Sequence, residues 1–199
     1  MNIVEEIAGK AITIADNQQR VYDAGKKAEY DAFWDVYQSN GQPRNYSTRF
    51  TQWSDAIYKP KYPIIVYENG SCQSCFNNAT ITDTLVDITF NKNCDVQYFF
   101  ANCTKLVTVR KIICDKTANV RSLFGNCKAL KNVTFEGEIG YGFNVTASTL
   151  LTHDSLMSII NALETKTSGT HTMTFGAANL AKLTDAEKLI ATEKGWTLA

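Results

Sequence analysis

The chain has 199 residues, 44% hydrophobic and 20% charged, which suffices for one domain of ordinary size plus an accessory segment. Twenty basic residues balance twenty acidic ones, so no bulk field draws the chain to nucleic acid or to an anionic membrane. No apolar run approaches the roughly 20 residues of a bilayer span, and the opening Met-Asn-Ile-Val-Glu-Glu carries acid where a secretory signal carries basic charge, so general export is not expected and the six cysteines are expected to be free thiols.

Residues 1–28 read as a helical stem. Ile7, Ile14, Val21 and Ala28 recur every seven residues, with Val4, Ala11, Gln18 and Gly25 at the companion position. This is a coiled-coil seam, weakened at Gln18 and Gly25; a single amphipathic helix lying on its own domain is the other reading. Ile and Val at one core position with small residues at the other do not select a two-stranded coil, so a homotrimer is expected, with dimer and monomer as alternatives. Residues 29–63 change character. Tyr30, Phe33, Trp34 and Tyr37 make an aromatic stripe, and Phe50, Trp53, Ile57 and Tyr58 add a second apolar cluster. Repeat arrays need a cover over their first unit, which assigns 29–63 to an N-terminal cap.

From residue 64 onward a repeat dominates. Phe76-Asn-Asn-Ala, Phe100-Ala-Asn-Cys and Phe124-Gly-Asn-Cys stand 24 residues apart. Ala79, Cys103 and Cys127 align, as do Leu85, Val109 and Val133; Leu106 aligns with Leu130, where the first unit has Thr82. The last two units share a Val-x-x-x-Phe-x-Asn-Cys-x-x-Leu-x-x-Val frame. Such a unit is one coil of an α/β repeat solenoid, with each strand parallel to the next. Strands are expected near 64–66, 86–90, 109–114, 133–136, 171–175 and 196–198. Asn78, Asn102 and Asn126 are placed to satisfy backbone groups at a bend. Cys72 and Cys75 form a lone CxxC with no second pair at metal-ligand spacing, read as one buried thiol and one turn thiol. Gly137-Glu-Ile-Gly-Tyr-Gly-Phe lacks the Lys-Ser/Thr ending of a phosphate loop and reads as a turn between coils.

Downstream, Thr152 opens a helix whose Leu156, Ile159, Ile160 and Leu163 share a face. Thr184 and Glu187 form a capping box, Gly195 is a helix stop, and Trp196-Thr-Leu closes as a strand 23 residues after Met173.

The stretch Asn-Val-Arg-Ser-Leu-Phe-Gly-Asn-Cys-Lys-Ala-Leu-Lys-Asn-Val at 119–133 resembles the BspA-type leucine-rich repeats of bacterial surface proteins. Residues 21–199 are also similar to leucine-rich-repeat proteins encoded by phages and prophages of gut bacteria. There a segment like Ala-Glu-Tyr-Asp-Ala-Phe-Trp-Asp (28–35) precedes the repeats, and an ending like Lys194-Gly-Trp-Thr-Leu-Ala closes them. The resemblance implies adhesion, receptor binding or a virion role, and it brings no catalytic residues.

The organisation expected is therefore a stem at 1–28, a cap at 29–63 and a parallel-β leucine-rich-repeat solenoid at 64–199. His153 and His171 are the only histidines and no nucleophile signature accompanies them, so no enzyme, cofactor or metal is expected. The outward strand positions Asp87, Thr89, Arg110, Lys111, Thr134 and Glu136 are the candidate binding residues, with ordinary solvated side chains as the alternative. Their expected partner is a protein or glycan on a host surface, or a neighbouring virion subunit. The alternative functions are a purely structural assembly protein of the virion and a cytosolic regulator that binds one protein.

Overall fold

The computed structural model describes residues 54, 55 and 63–199. The expected stem, its trimer seam and the aromatic residues of the expected cap lie outside the described residues.

Four short strands run in chain order through one sheet: β1 (Ile64–Val66), β2 (Ile88–Phe90), β3 (Thr108–Cys114) and β4 (Asn132–Gly137). All pair in parallel, and Ile64 meets Ile88 as Ile88 meets Ile112, each step spanning 24 residues. Helix α1 (His153–Ala162) follows, then β5 (His171–Met173), the single-turn α2 (Ala177–Leu180), α3 (Asp185–Glu193) and β6 (Trp196–Leu198). Strands β5 and β6 form a second parallel pair. Isolated parallel bridges at Ile139–Leu163 and Asn144–Thr174 join the intervening chain to its neighbours.

Alternation within the strands follows from one buried face. Ile64, Val66, Ile88, Phe90, Ile112 and Cys114 point inward and are closed to solvent. Behind them the repeated phenylalanines form a spine. Phe76 and Phe100 have ring centroids 5.6 Å apart; Phe100 and Phe124 stand 6.0 Å apart with planes 3° from parallel. The aligned cysteines stack beside this spine. Cys103 Sγ donates to the Phe76 carbonyl and Cys127 Sγ to the Phe100 carbonyl, both at 3.0 Å. All six cysteines are unbridged and buried, so the expected turn thiol of the CxxC is in fact enclosed, like its companion.

The first unit departs from the sequence alignment. Leu85 does not take the inner place of Val109; it has φ of 59° and is 48% exposed. Thr84 takes that place. A bridge pairs Asp83 with Thr108, 25 residues on, and Thr84 Oγ1 accepts from Arg110 N at 3.0 Å. Ile81, fully buried, likewise replaces Thr82 as the counterpart of Leu106. The unit has lost one residue before Ile81 and gained one at Leu85, so counting in strict steps of 24 misassigns both positions. The last strand shows the same slippage: Met173 pairs with Leu198, a step of 25 and not 23.

The asparagines also act otherwise than expected. Asn78, Asn102 and Asn126 all sit near φ of +60°, the left-handed region that Asn tolerates best after Gly. Their side chains bond to one another down the stack: Asn126 Nδ2 donates to Asn102 Oδ1 at 3.0 Å, and Asn102 Nδ2 to Asn77 Oδ1 at 3.1 Å.

The sheet ends at β4 because the next unit presents a helix. Thr152 caps α1 by accepting from Ser155 N, and Leu156, Ile159, Ile160 and Leu163 are buried as expected. Two serines of α1 occupy the vacant edge. Ser155 Oγ accepts from Val133 N at 3.0 Å, and Ser158 Oγ accepts from Phe135 N at 2.8 Å. The capping box at Thr184 and Glu187 starts α3, and Gly195, at φ of 80°, stops it.

Candidate functional site

The outward face of the sheet is read from its register. Ile65, Thr89 and Ile113 align across β1, β2 and β3, with Glu136 next on β4. Thr89 is half-buried, whereas Ile113 is 38% exposed, a large apolar side chain in the middle of the face. A bulge between Val109 and Ile112 turns both Arg110 and Lys111 outward. That bulge brings four of the expected residues together. Arg110 Nε lies 3.1 Å from Asp87, and Lys111 Nζ bridges Asp87 at 3.7 Å and Glu136 at 3.2 Å. Thr134 stands exposed on the same face of β4 without joining the charge ladder.

These charges compensate one another in place. An exposed pair of this kind contributes about 0.2–1 kcal/mol, so the ladder orders the face more than it stabilises the fold. Chemically the face offers a neutralised acid–base row beside apolar Ile65 and Ile113.

A second surface was not among the expected residues. At the end of the strands, a cleft of about 550 Å³ opens beside Tyr141. Its position follows from the repeat. Asn69, Asn93 and Thr117 occupy equivalent turns and bond in series: Asn93 Nδ2 donates to Asn69 Oδ1 at 3.2 Å, and Asn93 N to Thr117 Oγ1 at 2.8 Å. The next residue in that column is Tyr141, which cannot continue the series, and the wall opens. Glycines flank it. A Cβ on Gly140 would collide with the Lys116 carbonyl, and one on Gly142 with the Thr172 carbonyl. The glycines thus let three chain segments close around the cleft, which is what the turn at 137–143 accomplishes.

Charge and aromaticity converge there. The Arg121 guanidinium sits 4.7 Å from the Tyr141 ring centre, a cation–π contact. Lys116 lies 3.5 Å from Glu138 and 3.6 Å from Glu164, which hold its ammonium above the ordinary lysine range. Lys166 pairs with Glu164 as well. Trp196 forms part of the wall, its Nε1 donating to the Glu164 carbonyl at 2.7 Å, and His171 packs 5.4 Å from it. The signal was present in the sequence: Lys116, Gly140 and Glu164 continue the 24-residue step past the last recognised strand.

The thiols belong to neither surface. Burial pushes Cys114 and Cys127 up to about 12, and Cys103 higher still, so none is a thiolate nucleophile near neutrality. No protein-family model, curated protein or solved structure matches the chain.

Proposed function

We propose that this chain is a non-catalytic binding module of the BspA-type leucine-rich-repeat kind. In this reading residues 64–199 are a parallel-β solenoid, the N-terminal segment is its oligomeric stem, and a phage virion is its place of work. The carrying observation is the stacking of equivalent outward positions at 24-residue steps, which merges Thr89, Ile113 and the Asp87–Lys111–Glu136 row into one surface. Convergent side chains from separate units suit recognition, since each unit adds a contact to the same plane. Apolar Ile65 and Ile113 within that plane favour a protein partner over a glycan, because the core of a protein interface is where charge is depleted.

The reading is tested by particle association. Purified phage particles from the source of the gene are probed for the chain, and labelled chain is titrated onto host cells. Association with either is expected, with Ile113→Asp and the double reversal Arg110→Glu, Glu136→Arg weakening it. A chain that joins no particle and binds no cell defeats the reading. Sedimentation equilibrium of the intact chain tests the trimeric stem, and a monomer at micromolar concentration refutes it.

A further inference from the structure

We propose that the Tyr141 cleft binds a carboxylated sugar, of the uronic-acid or sialic-acid class. The inference rests on the binding-module reading and gives that module a second site, separate from the strand face.

The electrostatics come first. The cleft is lined by three cations, Lys116, Arg121 and Lys166, against one carboxylate, Glu164. Glu164 is shared by both lysines, so the surplus positive charge rests chiefly on Arg121. Among the described residues the Arg121 side chain has no carboxylate partner and no hydrogen bond; it only overlies the Tyr141 ring. A guanidinium held against a ring still offers its N–H groups as a planar fork, the geometry a carboxylate matches best.

Polar groups for sugar hydroxyls stand beside it. The hydroxyls of Tyr141, Thr170 and Thr172 carry no hydrogen bond among the described residues, and all three residues line the cleft. His171 is oriented as well. Its Nε2 lies 2.9 Å from the Ser168 carbonyl and donates to it, which leaves Nδ1 as an acceptor in the neutral ring. The aromatic wall supplies the apolar contact, since the electron-rich face of a ring attracts the C–H face of a pyranose. The volume of about 550 Å³ falls within the range of small-ligand sites, roughly 300–1,000 Å³.

Phosphate fits less well. The glycines at 140 and 142 spend their open faces on the Lys116 and Thr172 carbonyls, so this glycine-rich stretch is not an anion cradle of free N–H groups.

The test is ligand titration of the full chain, followed by amide and side-chain NMR shifts and by calorimetry. The probes are 3′-sialyllactose, digalacturonic acid, neutral lactose and a hexaglutamate peptide. At least one acidic sugar is expected to shift the resonances of Tyr141, Thr172 and His171, with lactose binding tenfold or more weakly. Arg121→Gln and Tyr141→Ala are each expected to weaken binding about tenfold, while thermal melting shows both variants folded. Arg121→Lys keeps the charge and loses the fork, so it should recover only part of the affinity. Absence of shifts with both acidic sugars at millimolar concentration overturns the proposal. So does unchanged binding by Arg121→Gln, and hexaglutamate binding as tightly as either sugar would make the cleft an acidic-peptide site. Particle or cell association that survives while these titrations fail would sink the cleft alone and leave the module reading standing.

Discussion

Between residues 64 and 137 the backbone of one unit satisfies the backbone of the next, whereas between 148 and 199 single side chains take over that task. In the first region Phe76 N donates to the Phe99 carbonyl, Asn78 N to Ala101, Phe100 N to Leu123 and Asn102 N to Gly125, the same bond repeated a unit later. In the second region Asn179, fully buried, donates from Nδ2 to the carbonyls of Val145, Ser148 and Phe175 at 3.1–3.3 Å. Lys182 reaches the Thr149 and Leu151 carbonyls, and Lys194 those of Ile160 and Asn161. A repeat spreads its satisfaction over many equivalent bonds. An ending has no next unit, so its carbonyls depend on particular residues.

The largest effect is expected in the spine of the repeat. Phe124→Ala should cost about 3–5 kcal/mol, because the ring stacks on Phe100 and meets Phe143 at 5.8 Å, and neighbouring units cannot collapse into the gap. Leu85→Ala should stay within about 0.5 kcal/mol, as for other exposed positions. Urea unfolding of both variants checks the pair. A costly Leu85→Ala would restore the strict 24-residue alignment and undo the assignment of Thr84 to the inner place.

The thiols sharpen the same contrast, since all six lie between residues 72 and 127 and none in the ending. Their folded pKa values are raised: Cys114 and Cys127 stand at about 12 against roughly 8.5 for an unfolded thiol. The unfolded chain therefore loses protons first. The thiol contribution is fully present below about pH 8.5 and is lost as pH rises toward 12, at about 1.4 kcal/mol per pH unit for each thiol. Urea midpoints from pH 7 to 10 should fall, and Cys127→Ala should make the fall shallower. A slope indifferent to that substitution would show that other groups govern the alkaline loss.

How much of this was legible follows the same division. The phenylalanine spine, the strand positions and the caps at Thr152 and Thr184 were readable, because each depends on residue type at a fixed spacing. The offsets at Thr84 and Leu198 were not, since compensating one-residue changes leave the overall period intact. The cleft was hidden for a related reason. Arg121 and Tyr141 belong to different units and look like ordinary surface residues until the fold sets one above the other. On the strand face the expected residues were the right chain positions, but their mutual ion pairing depends on the bulge in β3, which no periodicity announces.

Asn179→Ala should cost about 1–3 kcal/mol, since it leaves buried carbonyls of three segments without their shared donor. The loss should exceed that from any one asparagine of the repeat. Asn102→Ala should cost about 1–2 kcal/mol, chiefly from forcing a Cβ residue without local hydrogen bonding into the left-handed region. Asn102→Gly removes that strain and should recover most of the loss, leaving only the two side-chain bonds of the stack unmade. If Asn102→Gly proved as damaging as Asn102→Ala, the side-chain ladder and not the backbone conformation would be the reason for Asn.

The smallest effect belongs to the charge row, and its size separates a surface built for stability from one available for binding. Lys111 is 29% exposed and touches Asp87 and Glu136, so Lys111→Ala removes two exposed ion pairs at once. Each is worth about 0.2–1 kcal/mol before solvent screening, and the flexible lysine stem regains rotamer freedom when released, so the net loss should lie below about 1 kcal/mol. The loss should shrink further between 0.05 and 0.5 M salt, because the Debye length falls from roughly 14 Å to 4 Å over that range. Lys111→Glu is the stronger probe. It sets a third carboxylate between Asp87 and Glu136, and like charges at that distance repel while Arg110 can still compensate only Asp87. A double-mutant cycle with Glu136→Ala isolates the pair. A coupling well above 1 kcal/mol would mean that the row is a structural clamp, and the strand face would then be poorly suited to exchanging its own partners for those of another protein.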